Sequence, residues 1–264
     1  MTGTITILGC GSSGGVPRLG FGWGSCDPHE PKNRRRRCSV LVERVLDGKK
    51  TTVIIDTSPD LREQLLSSKT TRLDAVLFTH DHADHVHGID DVRPYALLQR
   101  QRLPVYMDPV TAKSIKKRFS YVFETMEGSD YPPIVEEFPL HIGHKTEIAG
   151  EGGPITFLPF LLEHGPVPAL GFRINHVAYT PDVNAIPEQS LEALRGLDVW
   201  IVDALRIPPH PTHFCLEETL HWIEKLAPKR AVLTNMHTDM DYATLCNQLP
   251  DHIRPAYDGM VIGF

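Results

Sequence analysis

The chain has 264 residues, of which 41% are apolar and 23% charged, with a formal net charge of −6. That is enough apolar material for one large α/β domain, residues 1–264, and too acidic a balance for a protein that coats nucleic acid, so an anionic substrate would need a local basic patch. Cys10, Cys26, Cys38, Cys215 and Cys246 are odd in number and widely spaced, which excludes a disulfide framework. No apolar run approaches the roughly 20 residues that cross a bilayer, and the first residues lack the charged and apolar regions of a signal peptide. A cytoplasmic protein without a membrane partner is expected.

Taken in order, β-branched runs predict strands over 4–8, 39–42, 53–56, 75–79, 155–162, 169–174, 176–180, 199–203 and 231–234. Between them, helical patterns fall at 59–66, 109–118, 187–194, 214–226 and 242–249. The clearest is 214–226, where Leu216, Leu220, Ile223 and Leu226 share one face and Glu217 and Glu218 lie near the positive end of the helix. The strand-rich first half, joined by short turns, predicts two mixed sheets packed face to face with helices outside rather than strict βαβ winding. Asp56, His80, Asp182 and His237 all fall just after strand ends, where a rigid sheet presents ligands.

The densest chemistry is in Phe78-Thr-His-Asp-His-Ala-Asp-His-Val-His-Gly88, where an apolar strand leads straight into potential ligands. His80 and His82, two apart on a loop, can turn toward one point. Asp84 and His85, in the tight turn that follows, can face a second point close by. Imidazole nitrogen with carboxylate oxygen suits zinc, manganese or iron alike. His213, beside a predicted helix start, is a candidate general acid, with His210 as its competitor. Two features suggest anion handling. Gly9-Cys-Gly-Ser-Ser-Gly-Gly15 could offer backbone amides and Ser12 and Ser13 hydroxyls to a phosphate, although its glycines could equally serve a close backbone approach. Arg34, Arg35, Arg36 and Arg37 could grip phosphate oxygens in pairs.

The HxHxDH motif, followed in order by His164 in Glu-His-Gly-Pro, Asp182 in Tyr-Thr-Pro-Asp and His237 in Asn-Met-His-Thr-Asp, resembles the metallo-β-lactamase superfamily of binuclear hydrolases nearly end to end. The resemblance implies an αββα sandwich and two divalent ions. One would be held by His80, His82, His164 and Asp182, the other by Asp84, His85, Asp182 and His237, with Asp182 bridging. It also implies that Asp56 supports the ligand loop, and Asp56 and Asp84 are counted with His213 as catalytic. Within the superfamily, Leu8-Gly-Cys-Gly-Ser-Ser-Gly-Gly-Val-Pro17, Arg34–Ser39, Thr212-His213 and the ending Tyr257-Asp-Gly-Met-Val-Ile-Gly resemble the cyclic-phosphate phosphodiesterases of the carbon–phosphorus lyase pathway. More distantly they resemble the tRNA 3′-processing endonucleases.

The resemblance thus implies hydrolysis of a small cyclic phosphate or nucleotide-like phosphodiester, with paired ions lowering the pKa of a bound water toward 7. Thioester or lactam hydrolysis, RNA 3′ processing and a non-catalytic binding module are the alternatives. RNA is disfavoured by the acidity and by the lack of a long glycine- and proline-rich arm. A homodimer is expected, because such enzymes are often dimers. One departure stands out: the cysteine-rich stretch that binds a separate structural zinc in those phosphodiesterases is reduced here to Cys26, so that zinc is not expected. Phe21 and Trp23, in the same stretch, are expected to pack in the core or on the surface, with stacking on a base as the alternative.

Overall fold

A computed structural model describes residues 2–264. Its strands are β1 (Thr2–Gly9), β2 (Ser39–Leu46), β3 (Lys49–Ile55), β4 (Ala75–Leu77), β5 (Leu103–Met107), β6 (Val135–Pro139), β7 (Thr146–Ile148), β8 (Ile155–His164), β9 (Val167–Ile174), β10 (Val177–Thr180), β11 (Val199–Asp203), β12 (Arg230–Thr234), β13 (Ile253–Pro255) and β14 (Val261–Gly263). They form two seven-stranded sheets, ordered β14-β1-β2-β3-β4-β5-β6 and β13-β12-β11-β10-β9-β8-β7. In each sheet one half is parallel, β3 to β6 and β10 to β13, and the other half antiparallel. This is the mixed αββα sandwich expected of the sequence.

Period-two alternation assigns the faces. Val40, Val42, Val53, Ile55, Ala75 and Leu77 point inward to a core shared with Phe157, Phe172, Ala178 and Trp200 of the second sheet. Their neighbours Leu41, Ile54 and Val76 point outward, beneath helices that contribute Leu61, Leu65, Val86, Ile89 and Ile115. Every one of these side chains is at most 4% exposed, so the two layers are fixed by burial of close-packed aliphatic surface.

Several elements differ from expectation. The segment expected as a helix over 187–194 is a 3-10 run, Glu188–Leu194. There the Ser190 hydroxyl donates to the Leu161 carbonyl at 2.6 Å, tying the segment to β8 and favouring a tight, short turn. The helix predicted over 214–226 runs Leu216–Leu226, and the Cys215 N–H before it is capped by the Glu218 carboxylate at 2.9 Å. β4 ends at Leu77: the Phe78 N–H still donates to the Tyr106 carbonyl of β5, but the Thr79 N–H turns away to the Asp56 carboxylate. β5, β6, β7, β13 and β14, each three to five residues long, lie outside the predicted strands.

The helix Tyr242–Gln248 is anchored through Asp241, whose carboxylate accepts from the Thr244 N–H (2.8 Å), the Asn33 amide (2.6 Å) and the Asp27 N–H (3.1 Å). Burial would raise the Asp241 pKa, but these donors outweigh it and hold the group at about 2. Its folded value therefore lies below the unfolded value of roughly 3.9. The stabilisation is complete above about pH 4 and is lost as the pH falls toward 2. Asp241→Ala should cost about 1–2 kcal/mol in urea unfolding at pH 7, the worth of an N-cap, and the wild-type advantage should shrink at pH 3.

Candidate metal centre and catalytic cleft

The site is assembled where the parallel halves of the two sheets end. Asp56 follows β3, the ligand loop follows β4, His164 ends β8, Asp182 follows β10, Asp203 ends β11 and Asn235 follows β12. Loops leaving parallel strands at one edge converge on a common crevice. Here they line a cleft of about 240 Å³ whose walls include Ser12, Arg18, His82, Asp84, His213 and Asn235.

His80, His82, His164 and Asp182 bring four ligand atoms within 4.8 Å of one another. Next to them, His85 Nε2 lies 3.2 Å from Asp182 Oδ1 and 3.5 Å from Asp84 Oδ2. The structure therefore brings together residues that are scattered from position 80 to position 182. His80 and His85 are fully buried, and the Nε2 atom of each lacks a hydrogen-bond partner among the described residues. A buried, unpaired imidazole nitrogen is costly, and pairs of them aimed at carboxylates form the donor set a divalent transition-metal ion would satisfy. The residues fit a metal.

Asp56 sits behind the ligands. It is completely buried, and its backbone is left-handed (φ 67°), a conformation that costs a non-glycine residue roughly 1–2 kcal/mol. That twist aims its carboxylate at three donors: the Thr79 N–H (2.8 Å), the Thr79 hydroxyl (2.8 Å) and His85 Nδ1 (2.7 Å). Holding His85 by Nδ1 leaves Nε2 free to face Asp182 and fixes the ring's orientation. Asp56 thus supports the ligand loop and does not itself line the cleft.

Burial acts against every charge here, and the partners decide the outcome. Burial would raise Asp182, but His85 and His80 bring it well below the usual carboxylate range. Burial would lower His85, but Asp182, Asp84 and Asp56 hold it well above the ordinary value. Burial and the neighbouring His85 charge push His80 well down, toward the neutral form that ligates. Burial likewise lowers His164.

Opposite the ligand loop stands a second dyad. His213 Nδ1 lies 2.8 Å from Asp203 Oδ2, and its Nε2 lies 3.9 Å from Asp182 Oδ2. Burial alone would lower the His213 pKa, but Asp203, then Asp182 and Asp84, lift it to about 9. Burial raises Asp203 to about 7 against the opposing pull of His213. The pair favours an imidazolium facing the metal centre at neutral pH. His210 packs its ring 5.1 Å from that of His213 and receives the Thr212 N–H on Nδ1, but its pKa is lowered by burial and by the His213 charge. Between the two histidines, His213 has the support of an acid.

His237 is placed differently from expectation. It lines the cleft, but its Nε2 accepts a hydrogen bond from Arg18 Nη1, which can only donate. The proton then belongs on Nδ1, toward Thr238 Oγ1 at 3.1 Å. Burial and the Arg18 charge lower the His237 pKa. Among the described residues, the ion pairs of Asp182 are to His80, His85, His164 and His213, whereas that of His237 is to Asp239. The side chain from this loop that reaches Asp182 is Asn235, whose Nδ2 is 3.3 Å from Asp182 Oδ1.

The arginine run also departs from expectation. Arg35 is buried and donates to the Met240 carbonyl (2.7 Å) and to Asn33 Oδ1 (3.2 Å). Arg36 pairs with Asp258 at 2.9 Å and Arg37 with Asp60 at 3.0 Å. Arg34 is exposed, with its guanidinium 5.9 Å from the centre of the Trp23 ring. All four line a separate hollow of about 770 Å³ that shares no wall residue with the cleft. Arg35, Arg36 and Arg37 are thus engaged by partners within the chain, away from the cleft.

The glycine-rich segment serves the close-approach role. A Cβ on Gly9 would lie 2.0 Å from the Arg37 carbonyl oxygen, and the Gly11, Ser12 and Gly15 amides donate to the carbonyls of Arg36, Met236 and Ser12. What the segment does give the cleft is Ser13 and the Ser12 hydroxyl, which is buried and has no partner. His87, left out of the ligand set, is exposed, with its ring 5.7 Å from that of Phe119. Cys26 is buried near the Arg35 guanidinium, and all five cysteines are free. Phe21 lies on the surface, 81% exposed, with the Arg18 guanidinium 5.7 Å from its ring centre.

Asp203, Arg18 and Asn235 were missed in the sequence. Asp203 had a signal, since it closes Val199-Trp-Ile-Val-Asp as Asp56 closes Val53-Ile-Ile-Asp. Arg18 and Asn235 had none.

This fold, with a His/Asp cluster at the edge shared by two mixed sheets, defines the metallo-β-lactamase class of enzyme. The sequence pattern of the Beta-lactamase superfamily domain matches residues 51–236, and the chain belongs to that family. It is a metal-dependent enzyme of the hydrolase kind. Among solved structures, a diphosphatase of the PhnP family is 37% identical, with a TM-score of 0.89 over 100% of this chain and 98% of that one. Zinc-bound PqqB from Methylobacterium extorquens is 18% identical (TM-score 0.74, 98% of this chain and 99% of that one) and shares the fold. A Porphyromonas gingivalis (strain ATCC BAA-308 / W83) protein named octanoyltransferase is 32% identical over 96% of this chain, which spans about half (50%) of that relative's length. Among the described residues, no helix is long and apolar enough to cross a membrane.

Proposed function

We propose that the chain hydrolyses a phosphodiester or diphosphate bond in a small, nucleotide-sized substrate with the aid of two divalent ions, zinc or manganese, with iron compatible with the same donors. The observation that carries this reading is the acid-supported His213, aimed at Asp182 across a cleft walled by metal ligands. The ions would be held by His80, His82, His164, Asp84, His85 and Asp182. When bound, they supply Lewis-acid polarisation of the phosphoryl oxygen and acidify a water nucleophile.

The chain's own groups do the rest. His213, held charged by Asp203, gives its Nε2 proton to the departing oxygen. Arg18 at the rim can neutralise a phosphate oxygen, and the free Ser12 hydroxyl can donate to another. Arg206 and His210 line the same cleft and add polar contacts to an anion. A cleft of about 240 Å³ suits a small phosphate ester rather than a folded RNA. The likeness to a diphosphatase, at 37% identity over the whole chain, supports a phosphate substrate. Acyl transfer is suggested only by the name of a relative twice as long.

The test is metal-stripped protein reloaded with zinc or manganese and assayed on bis(p-nitrophenyl) phosphate, a cyclic phosphodiester, a nucleoside diphosphate ester and a thioester. Cleavage of phosphate esters with the thioester untouched is the expected result, and thioester cleavage alone would overturn it. Arg18→Ala should lower kcat/KM roughly ten- to a hundredfold, mainly through KM, the worth of one charge-assisted hydrogen bond of about 1.5–3 kcal/mol.

A further inference from the structure

We infer that the two metal positions are unequal: the His80–His82–His164–Asp182 position binds its ion tightly, and the Asp84–His85–Asp182 position binds weakly because the described residues give it no fourth protein ligand. The inference rests on the metal-centre reading above and deepens it.

The first position has four donors, all within 4.8 Å of one another. The second has three: His85 Nε2, 3.2 Å from Asp182 Oδ1 and 3.5 Å from Asp84 Oδ2. Two side chains from the loop after β12 could complete it, and neither does. His237 has its Nε2 lone pair engaged by Arg18 and its Nδ1 proton directed at Thr238. It is therefore occupied as an acceptor on one nitrogen and as a donor on the other, with no lone pair left for an ion.

Asn235 is the residue that reaches the centre. It is buried, with a left-handed backbone (φ 59°), and its Nδ2 lies 3.3 Å from Asp182 Oδ1 and 3.2 Å from His213 Nδ1. An amide N–H directed at Asp182 offers a cation nothing. Its oxygen faces the other way, 3.9 Å from the Cys38 thiol. The amide instead tethers the Asp182 carboxylate beside the His213 dyad. An ion held by Asp84, His85 and Asp182 would then face the cleft, where water or a substrate oxygen would complete its ligands. An open coordination place is what a catalytic ion needs, and the missing imidazole lowers the affinity with which the ion is held.

Calorimetric titration of metal-stripped protein with zinc chloride tests this, with a parallel cobalt titration followed by visible absorption. The wild type should bind in two resolved steps, the second at least tenfold weaker. Asn235→His should draw the second step toward the first, and His237→Ala should leave the number of ions and the tight step unchanged. Two ions of equal affinity in the wild type, or loss of the second ion in His237→Ala, would overturn the inequality while leaving the metal centre intact. Absence of any tight step, with His80→Ala indistinguishable from wild type, would overturn the metal centre and the inequality together.

Discussion

Replacing His213 with glutamine should lower turnover of an alkyl-leaving phosphodiester by roughly 10²–10⁴-fold, the usual worth of a general acid, with little change in KM. The same substitution should cost far less on a p-nitrophenyl ester, whose leaving group departs without a proton. That leaving-group dependence separates proton donation from a structural role, because a distorted cleft would slow both substrates alike. The pH profile gives a second check. His213 is raised to about 9, with burial overcome by Asp203, Asp182 and Asp84, so activity should fall as the pH rises through the value of the working enzyme. Ions at Asp182 and Asp84 offset two of those three carboxylates, which places the alkaline limb at or below about 9 and leaves Asp203 as the main support. Asp203→Asn should therefore move the limb toward lower pH. A limb unmoved in Asp203→Asn would remove His213 from the acid role.

The larger expected loss is at Asp182. Among the described residues, it is the carboxylate that pairs within 4 Å with His80, His85, His164 and His213 alike. Asp182→Ala should drop activity by more than about 10³-fold, since the ions are asked for several kcal/mol of transition-state stabilisation. Metal-stripped wild type should fall to the same residual rate and recover on reloading, whereas the variant should not. If Asp182→Ala retained activity and metal, the ligand set would be wrong at its centre.

Most of the fold was legible because it is written in short-range pattern. The alternation in Val40-Leu41-Val42 and Val53-Ile54-Ile55 assigns two faces to each strand, and those faces become the inner and outer layers. The elements that were missed are short strands such as Leu103–Met107 and Val135–Pro139, whose existence depends on pairing with distant neighbours rather than on local preference. The ligand loop was legible too, since His80, His82, Asp84 and His85 are adjacent in sequence.

What could not be read locally is which groups compete for which. Arg36 and Arg37 look free in the sequence but meet Asp258 and Asp60, which lie 222 and 23 residues away. His237 looks like a ligand by its order in the chain, but it leaves its loop two positions after Asn235 and meets Arg18, 219 residues away. At the end of β12 the residue two positions earlier, in a left-handed backbone, faces the centre. Spacing alone does not reveal such a turn.

A crystal of the metal-loaded protein, measured at the absorption edge of the added metal, tests the account most directly through its anomalous difference map. The strongest peak should lie in contact with His80, His82, His164 and Asp182, with any weaker peak beside Asp84 and His85. A strong peak away from these side chains, or a fully loaded crystal with none beside Asp182, would contradict it.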